Sequence, residues 1–174
     1  MREVLLALLA AAQAPATDEG AVETRTIPAR SESGRLQVLA VESRDPVVVD
    51  GVLDDSAWRL GPPVSGFIQA EPYEGKPATE DTEVRVAFDS KNLYIAAVCH
   101  DRGHSGVVVN DIREDFPTGE QDSFEIILDT LYDQRNGFVF MTNPEGARAD
   151  QQMANEGRVV NASWDAVWFV GTIR

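Results

Sequence analysis

Carboxylates are the chemically active groups that this sequence supplies in greatest number, and one short segment concentrates them. Residues 110–122 contain five: Asp111, Glu114, Asp115, Glu120 and Asp122. Carboxylate oxygens are ligands that calcium prefers, but the spacing differs from that of an EF-hand loop. The segment therefore predicts either a calcium site or a solvated acidic loop.

A second constellation is CHDRGH, in which His100 and His104 flank Asp101. Zinc requires three or four well-spaced ligands, so two histidines favour a surface loop over a metal site. Pairs of carboxylates can hydrolyse glycosidic bonds, but no pair stands out among so many acids. Because the chain has no nucleophile motif, phosphate-binding loop or dinucleotide fingerprint, we expect no enzymatic activity from it.

Composition defines the class of protein that must position these groups. The 174 residues are 43% hydrophobic, which is enough for one globular domain with its own core. The formal net charge of −14 repels nucleic acid and anionic membranes, so both are poor partners. Cys99 is the only cysteine, so no internal disulfide can form, and its apolar neighbours predict a buried thiol.

Most of the chain has the pattern of short strands. Six segments show either alternation of apolar and polar residues or apolar residues on both faces: 82–89, 93–99, 123–130, 137–142, 147–153 and 164–173. The dipeptide Asn136-Gly137 predicts a turn between the third and fourth of them. Short strands with turns between them are typical of an antiparallel sandwich.

The stretch PVVVDGVLDDSAW, which begins at Pro46, opens this domain. Its valines at 47–49 predict a strand, and Asp50-Gly51 predicts a turn. A short helix follows near residues 54–60, with Asp54 as its N-cap. Trp58 takes a hydrophobic-staple position, which predicts that its ring lies in the core.

The first residues have the composition of a signal peptide. Val4–Ala12 is a short apolar run that cannot span a bilayer, and Ala12-Gln13-Ala14 has the pattern of a cleavage site. The alternative is a buried or frayed N-terminal helix. The predicted organisation is a signal peptide at 1–14, a linker at 15–44 and the domain at 45–174.

Three motifs in order resemble family 9 carbohydrate-binding modules and their relatives: the opening stretch, TEVRVAFDSKNLYIAAVCHD at 82–101 and GEQDSFEIILDT at 119–130. The resemblance implies an all-β fold, an antiparallel β-sandwich of the kind shared with DOMON-type domains, with one short helix. NPEGARADQQ at 143–152 looks like the version that precedes a large barrel-like C-terminal domain in bacterial outer-membrane proteins. The implied location is secreted, periplasmic or at the outer membrane of a bacterium.

The resemblance also implies a sugar site. By position in the motifs, Glu125, Arg148 and Asp150 would hold sugar hydroxyls, and residues two apart in a strand share a face. Trp164 or Phe116 would supply the aromatic platform for the sugar ring. The alternative for the three charged residues is an ordinary cross-strand salt bridge.

Two departures from the family pattern concern this site. Sugar-binding members carry an aromatic residue immediately before Glu-Gln-Asp, where this chain has Gly119. The sequence ends at Arg174, before the usual closing strands, which predicts an incomplete module with an open sheet edge.

The sequence thus predicts non-catalytic binding of an oligo- or polysaccharide in carbohydrate catabolism. Any glycoside hydrolase activity would reside in another domain of the parent protein. One alternative is a structural or interaction domain, with a degenerate sugar site, that docks the C-terminal barrel-like domain. A second alternative is a b-type haem-binding sandwich with His100 and either Met141 or Met153 as axial ligands.

Overall fold

The computed structural model of this chain describes residues 2–9, 31, 34–102 and 106–174. These residues form one 3₁₀ helix, Ser56–Arg59, and nine strands. The strands are β1 (Arg2–Leu9), β2 (Ala40–Glu42), β3 (Thr82–Phe88), β4 (Asn92–Cys99), β5 (Phe124–Leu128), β6 (Gly137–Thr142), β7 (Arg148–Ala154), β8 (Val159–Asn161) and β9 (Trp168–Ile173). The all-β class is therefore confirmed.

The strands form two sheets. The first has the order β2-β3-β4-β1-β9, and the second has the order β5-β6-β7-β8. Neighbouring strands are antiparallel throughout, apart from β2 and β3, which run parallel. In the described part of the chain, no helix is long and apolar enough to cross a bilayer.

Side chains from both sheets pack together in one core cluster. Ile95 on β4, Phe140 on β6 and Trp168 on β9 are the buried centre of one cluster that draws residues from both sheets. Around it pack the apolar positions of β3 and β5 that the alternation predicted, Val84 and Ile126 among them. Central strand β4 is buried on both faces from Tyr94 to Val98, as its sequence predicted.

The opening stretch packs on the outer face of the first sheet. Trp58 is 5% exposed and lies in a cluster with Tyr94 and Ala96, so its predicted core position is confirmed. The valines at 47–49 form no strand, and the predicted strand there is wrong. The predicted cap is also wrong. The 3₁₀ helix begins at Ser56, so Asp55 rather than Asp54 takes the N-cap position, and the Asp55 side chain makes no capping hydrogen bond.

The Asp50-Gly51 turn lies directly against β9, and this close approach explains why positions 51 and 171 are glycine. Gly51 has φ of +90°, a conformation that side chains disfavour. A Cβ atom on Gly171 would lie 2.5 Å from the backbone nitrogen of Gly51, which is closer than any real contact allows. The opening stretch is thus fixed to both β4 and β9.

The connection between β5 and β6 is longer than the predicted turn. The two strands pair antiparallel as predicted, but residues 129–136 separate them. Asp129 and Asp133 hold this loop by accepting hydrogen bonds from four of its backbone N–H groups, at 2.7–3.1 Å. Gly137 is the first strand residue, and a Cβ there would lie 2.9 Å from the carbonyl oxygen of Leu128.

The N-terminal predictions fall partly outside the described residues. Residues 2–9 form β1, which pairs with β4 and β9, while residues 10–14 are not described. Cleavage after residue 14 stays a prediction. Within the predicted linker at 15–44, the described part contains β2, and a separate short strand, β8, had no clear sequence signal.

Candidate functional site

Arg148 and Asp150 share one face of β7, and both contact Trp168. The Asp150 carboxylate is 8% exposed and accepts a hydrogen bond of 2.7 Å from the Trp168 indole nitrogen. Burial raises the pKa of the Asp150 carboxyl, and the bond from Trp168 partly opposes that rise. The predicted shared face is confirmed, but Asp150 is directed into the core.

Arg148 lies at the edge of the same contact. Its guanidinium donates to the backbone carbonyl of Trp168 at 2.6 Å, and its Cζ lies 5.8 Å from the centroid of the indole ring. It also approaches the carboxylate of Glu114 at 3.5 Å, at the surface. Trp168 therefore bonds to two of the three residues that the resemblance assigns to sugar hydroxyls, Arg148 and Asp150.

Glu125 lies on the opposite face of the second sheet. The strand register places it beside Met141, which in turn lies beside Ala149. Arg148 and Asp150 flank Ala149 in sequence, so their side chains point the other way. The structure does not bring Glu125 to them; the exposed carboxylate borders a mainly apolar groove of about 570 Å³.

The two candidate aromatic platforms are separated as well. Phe116 is 3% exposed and packs with Met141 and Ala149 on the outer face of the second sheet. Trp164 is half-buried, with its ring centroid 4.6 Å from that of Phe138 and 5.9 Å from that of Phe140. Trp164 is thus the only one of the two that presents part of its ring to solvent.

A cleft of about 370 Å³ opens where the ends of five strands meet. Its wall includes the first residues of β3 and β5 and the last residues of β4, β6 and β9. The polar groups that line it include Glu80, Thr82, His100, Asp122, Ser123 and Thr142. Phe124 also lines the cleft and packs against the cluster between the sheets, so the lining combines hydrogen-bonding groups with an apolar residue.

Asn143 fixes the floor of this cleft. It is 1% exposed, and its side-chain amide donates to the carbonyl of Asp111 at 2.6 Å. Its side-chain oxygen accepts from the backbone nitrogens of Glu145 and Ala147, both at 3.1 Å. Residues 143–146 form a turn, closed by a hydrogen bond of 2.9 Å from the Gly146 nitrogen to the Asn143 carbonyl, and Asn143 joins this turn to the acidic loop at 110–122.

The acidic loop is organised by its own hydrogen bonds. Arg113 donates from its side chain to both carboxylate oxygens of Asp111, which lowers the pKa of that carboxyl to about 2. Asp122 accepts from the backbone nitrogen of Val108 at 3.0 Å. No group of three or more His, Cys, Asp or Glu side chains among the described residues is placed to hold a metal ion.

The candidate haem ligands lie in different parts of the fold. His100 follows β4 and lies 3.4 Å from the carboxylate of Glu83, whereas Met141 and Met153 pack on the outer face of the second sheet. The imidazole and the thioethers therefore face different surroundings. Cys99 is partly exposed and lines the cleft, so the prediction of a buried thiol is wrong.

Sequence reasoning missed the cleft because its residues are distant in the chain. A usable signal was present: polar residues stand at or within two residues of the ends of predicted strands, as at Glu80, Ser123 and Asn143. A comparison with protein-family models, curated proteins and solved structures gave no match to this chain.

Proposed function

We propose that this chain is a non-catalytic carbohydrate-binding domain of β-sandwich architecture, related to the family 9 modules, and that the cleft is its sugar site. The observation that carries the proposal is the lining of the cleft, which includes carboxylates, hydroxyls and Phe124. The volume of about 370 Å³ falls in the range of small-molecule sites. The resemblance in sequence supports the same function.

The chemistry of the lining suits a polyhydroxylated ligand. Carboxylates such as Glu80 accept charge-assisted hydrogen bonds from hydroxyl groups, and the hydroxyls of Thr82 and Ser123 can both donate and accept. A sugar ring also has an apolar C–H face, which an aromatic ring such as that of Phe124 can cover. A strongly acidic lining disfavours phosphorylated or otherwise anionic ligands.

Calorimetric titration of the purified chain with glucose- and xylose-based oligosaccharides tests the proposal. We expect measurable heat, and an affinity about tenfold weaker for Glu80→Gln, because a hydrogen bond to a charged group contributes roughly 1.5–3 kcal/mol. Glu125→Gln is the matched control, since it makes the same chemical change outside the cleft. Absence of heat with every glucan, xylan and oligomer, or equal weakening by both substitutions, overturns the proposal.

The second candidate is an interaction domain whose ancestral sugar site no longer works. It is favoured by one observation: Arg148 and Asp150, the residues that match the family motif, bond to Trp168 inside the protein. In that case the domain docks a barrel-like domain of a secreted or outer-membrane bacterial protein. Arg148→Ala would then lower the free energy of unfolding, and no sugar would bind either protein.

A further inference from the structure

The carboxylates of the cleft come from three separate parts of the fold. Glu80 precedes β3, Asp101 follows β4, and Asp122 precedes β5. Strands β3 and β4 belong to the first sheet and β5 to the second, so both sheets contribute acidic groups. Among the described residues that line the cleft, none is lysine or arginine, and His100 is the one side chain that can carry a positive charge. The lining is therefore predominantly of one sign.

Two of these carboxylates accept hydrogen bonds from uncharged backbone donors. Glu80 accepts from the nitrogen of Arg102 at 3.1 Å, and Asp122 accepts from the nitrogen of Val108 at 3.0 Å. The guanidinium of Arg102 bonds instead to Asp81, which does not line the cleft, and 71% of the Arg102 side chain is exposed. These contacts hold the two carboxylates in place without neutralising them.

The carboxylates do not converge on a single metal ion. No group of three or more His, Cys, Asp or Glu side chains in the described part of the chain is placed to hold one. The same lining includes the hydroxyl-bearing residues Thr82, Ser123 and Thr172. A bare cation needs converging oxygens, whereas an organic cation with hydroxyl groups of its own can use separated carboxylates and hydroxyls together.

The acidic cleft favours a positively charged ligand, because a concave site lined by one sign of charge concentrates counter-ions. An ammonium group also donates charge-assisted hydrogen bonds to carboxylates, which are stronger than those from a neutral hydroxyl. We propose that the cleft selects amino sugars, in which a protonated amine replaces a hydroxyl, over neutral sugars. This inference rests on the proposed function of the cleft as a sugar site.

Calorimetric titration of the complete chain at low ionic strength compares the linear trimers of glucose, N-acetylglucosamine and glucosamine. The N-acetylated trimer is the control for the nitrogen substituent, since its amide carries no charge. We expect the glucosamine trimer to bind about tenfold more tightly than either neutral trimer. This advantage should shrink as sodium chloride is added, because salt screens charge pairs near a protein surface.

Asp122→Asn tests where the ammonium group binds. Asparagine keeps a side-chain oxygen but has no charge, so the preference for the glucosamine trimer over the glucose trimer should fall by roughly threefold. Asp54→Asn is the matched control, because it makes the same change at an exposed position outside the cleft. In the native protein, the bound glucosamine trimer should slow alkylation of Cys99, the only cysteine, which lines the cleft.

The outcomes separate this inference from the proposed function. Equal affinity for the three trimers, with binding of the glucose trimer weakened by Glu80→Gln, overturns the selection of amino sugars and leaves the sugar site intact. Absence of binding by every trimer overturns both. Binding of the glucosamine trimer that leaves Cys99 alkylation unchanged, or that both aspartate substitutions weaken equally, shows general attraction to an acidic protein and also overturns the selection.

Discussion

Substitution of Asp150 by alanine is the sharpest test of how Trp168 is held. In the native protein the Trp168 side chain is 1% exposed, and its indole N–H donates to Asp150 at 2.7 Å. Asp150→Ala leaves that N–H buried without its acceptor, which destabilises a protein by about 1–3 kcal/mol. It also removes packing atoms beside Phe140, which contacts the indole ring edge-on at 5.4 Å between centroids.

The expected loss of about 1–3 kcal/mol is measured by urea unfolding followed by far-ultraviolet circular dichroism. With a typical slope of about 1–3 kcal/mol per molar urea, the midpoint should fall by roughly 1 M. Glu125→Ala is the matched control because it removes an exposed carboxylate from the same sheet. Its effect should remain within about 0.5 kcal/mol.

A double-mutant cycle with Trp168→Phe isolates the hydrogen bond from the packing. The phenylalanine ring has no N–H, so Asp150→Ala should be less destabilising in that background by the coupling energy, about 0.5–3 kcal/mol. If Asp150→Ala is as stable as the native protein, or if both backgrounds lose the same free energy, then the bond between Asp150 and Trp168 does not stabilise the core.

Four further outcomes are expected. Burial raises the pKa of Asp150 above 3.8, so native stability falls as pH rises through that window; Asp150→Asn should remove this fall, as measured by thermal melts across pH. The pKa of Asp111 is lowered to about 2, so its contribution is lost as pH falls from 3.8 towards 2; Arg113→Gln should flatten this acid loss in the same melts. Gly171→Ala should destabilise by about 1–3 kcal/mol in urea, because its Cβ would meet backbone at 2.5 Å, whereas Gly119→Ala has open space. Gly119→Trp should fold normally, because nothing lies within 4 Å of a Cβ at this position. If an aromatic residue here contacts a sugar in the cleft, calorimetry should show tighter binding of oligosaccharide. Unchanged affinity would mean that position 119 is not part of the sugar site.

Local patterns predicted the strands well because each strand carries its own evidence. Alternation identified β3 and β5, and the doubly apolar run at 93–99 identified the buried centre of β4. The valines at 47–49 misled because branched residues favour any extended conformation that packs on an apolar surface. Val47 and Val49 pack against the Trp58 cluster without a neighbouring strand to pair with.

The site was less predictable because it depends on relations between strands. Glu125 and Asp150 lie on strands separated by β6, so their relative orientation depends on the register of two pairings. A shift of one residue in either pairing would turn the side chains of the shifted strand to the other face of the sheet, and no local sequence pattern specifies the register. The cleft depends in the same way on how five strand ends come together.

The sequence alone determined the all-β class and the positions of most strands, since a spacing of two residues is a local property. It also predicted the burial of Trp58, although the helix start from which that position was counted was wrong. Tertiary structure alone decided that Trp168 occupies Arg148 and Asp150, and that polar residues from distant strand ends line one cleft. The physical reason is that side-chain partners are chosen by pairing register and sheet packing, which connect residues that are far apart in the chain.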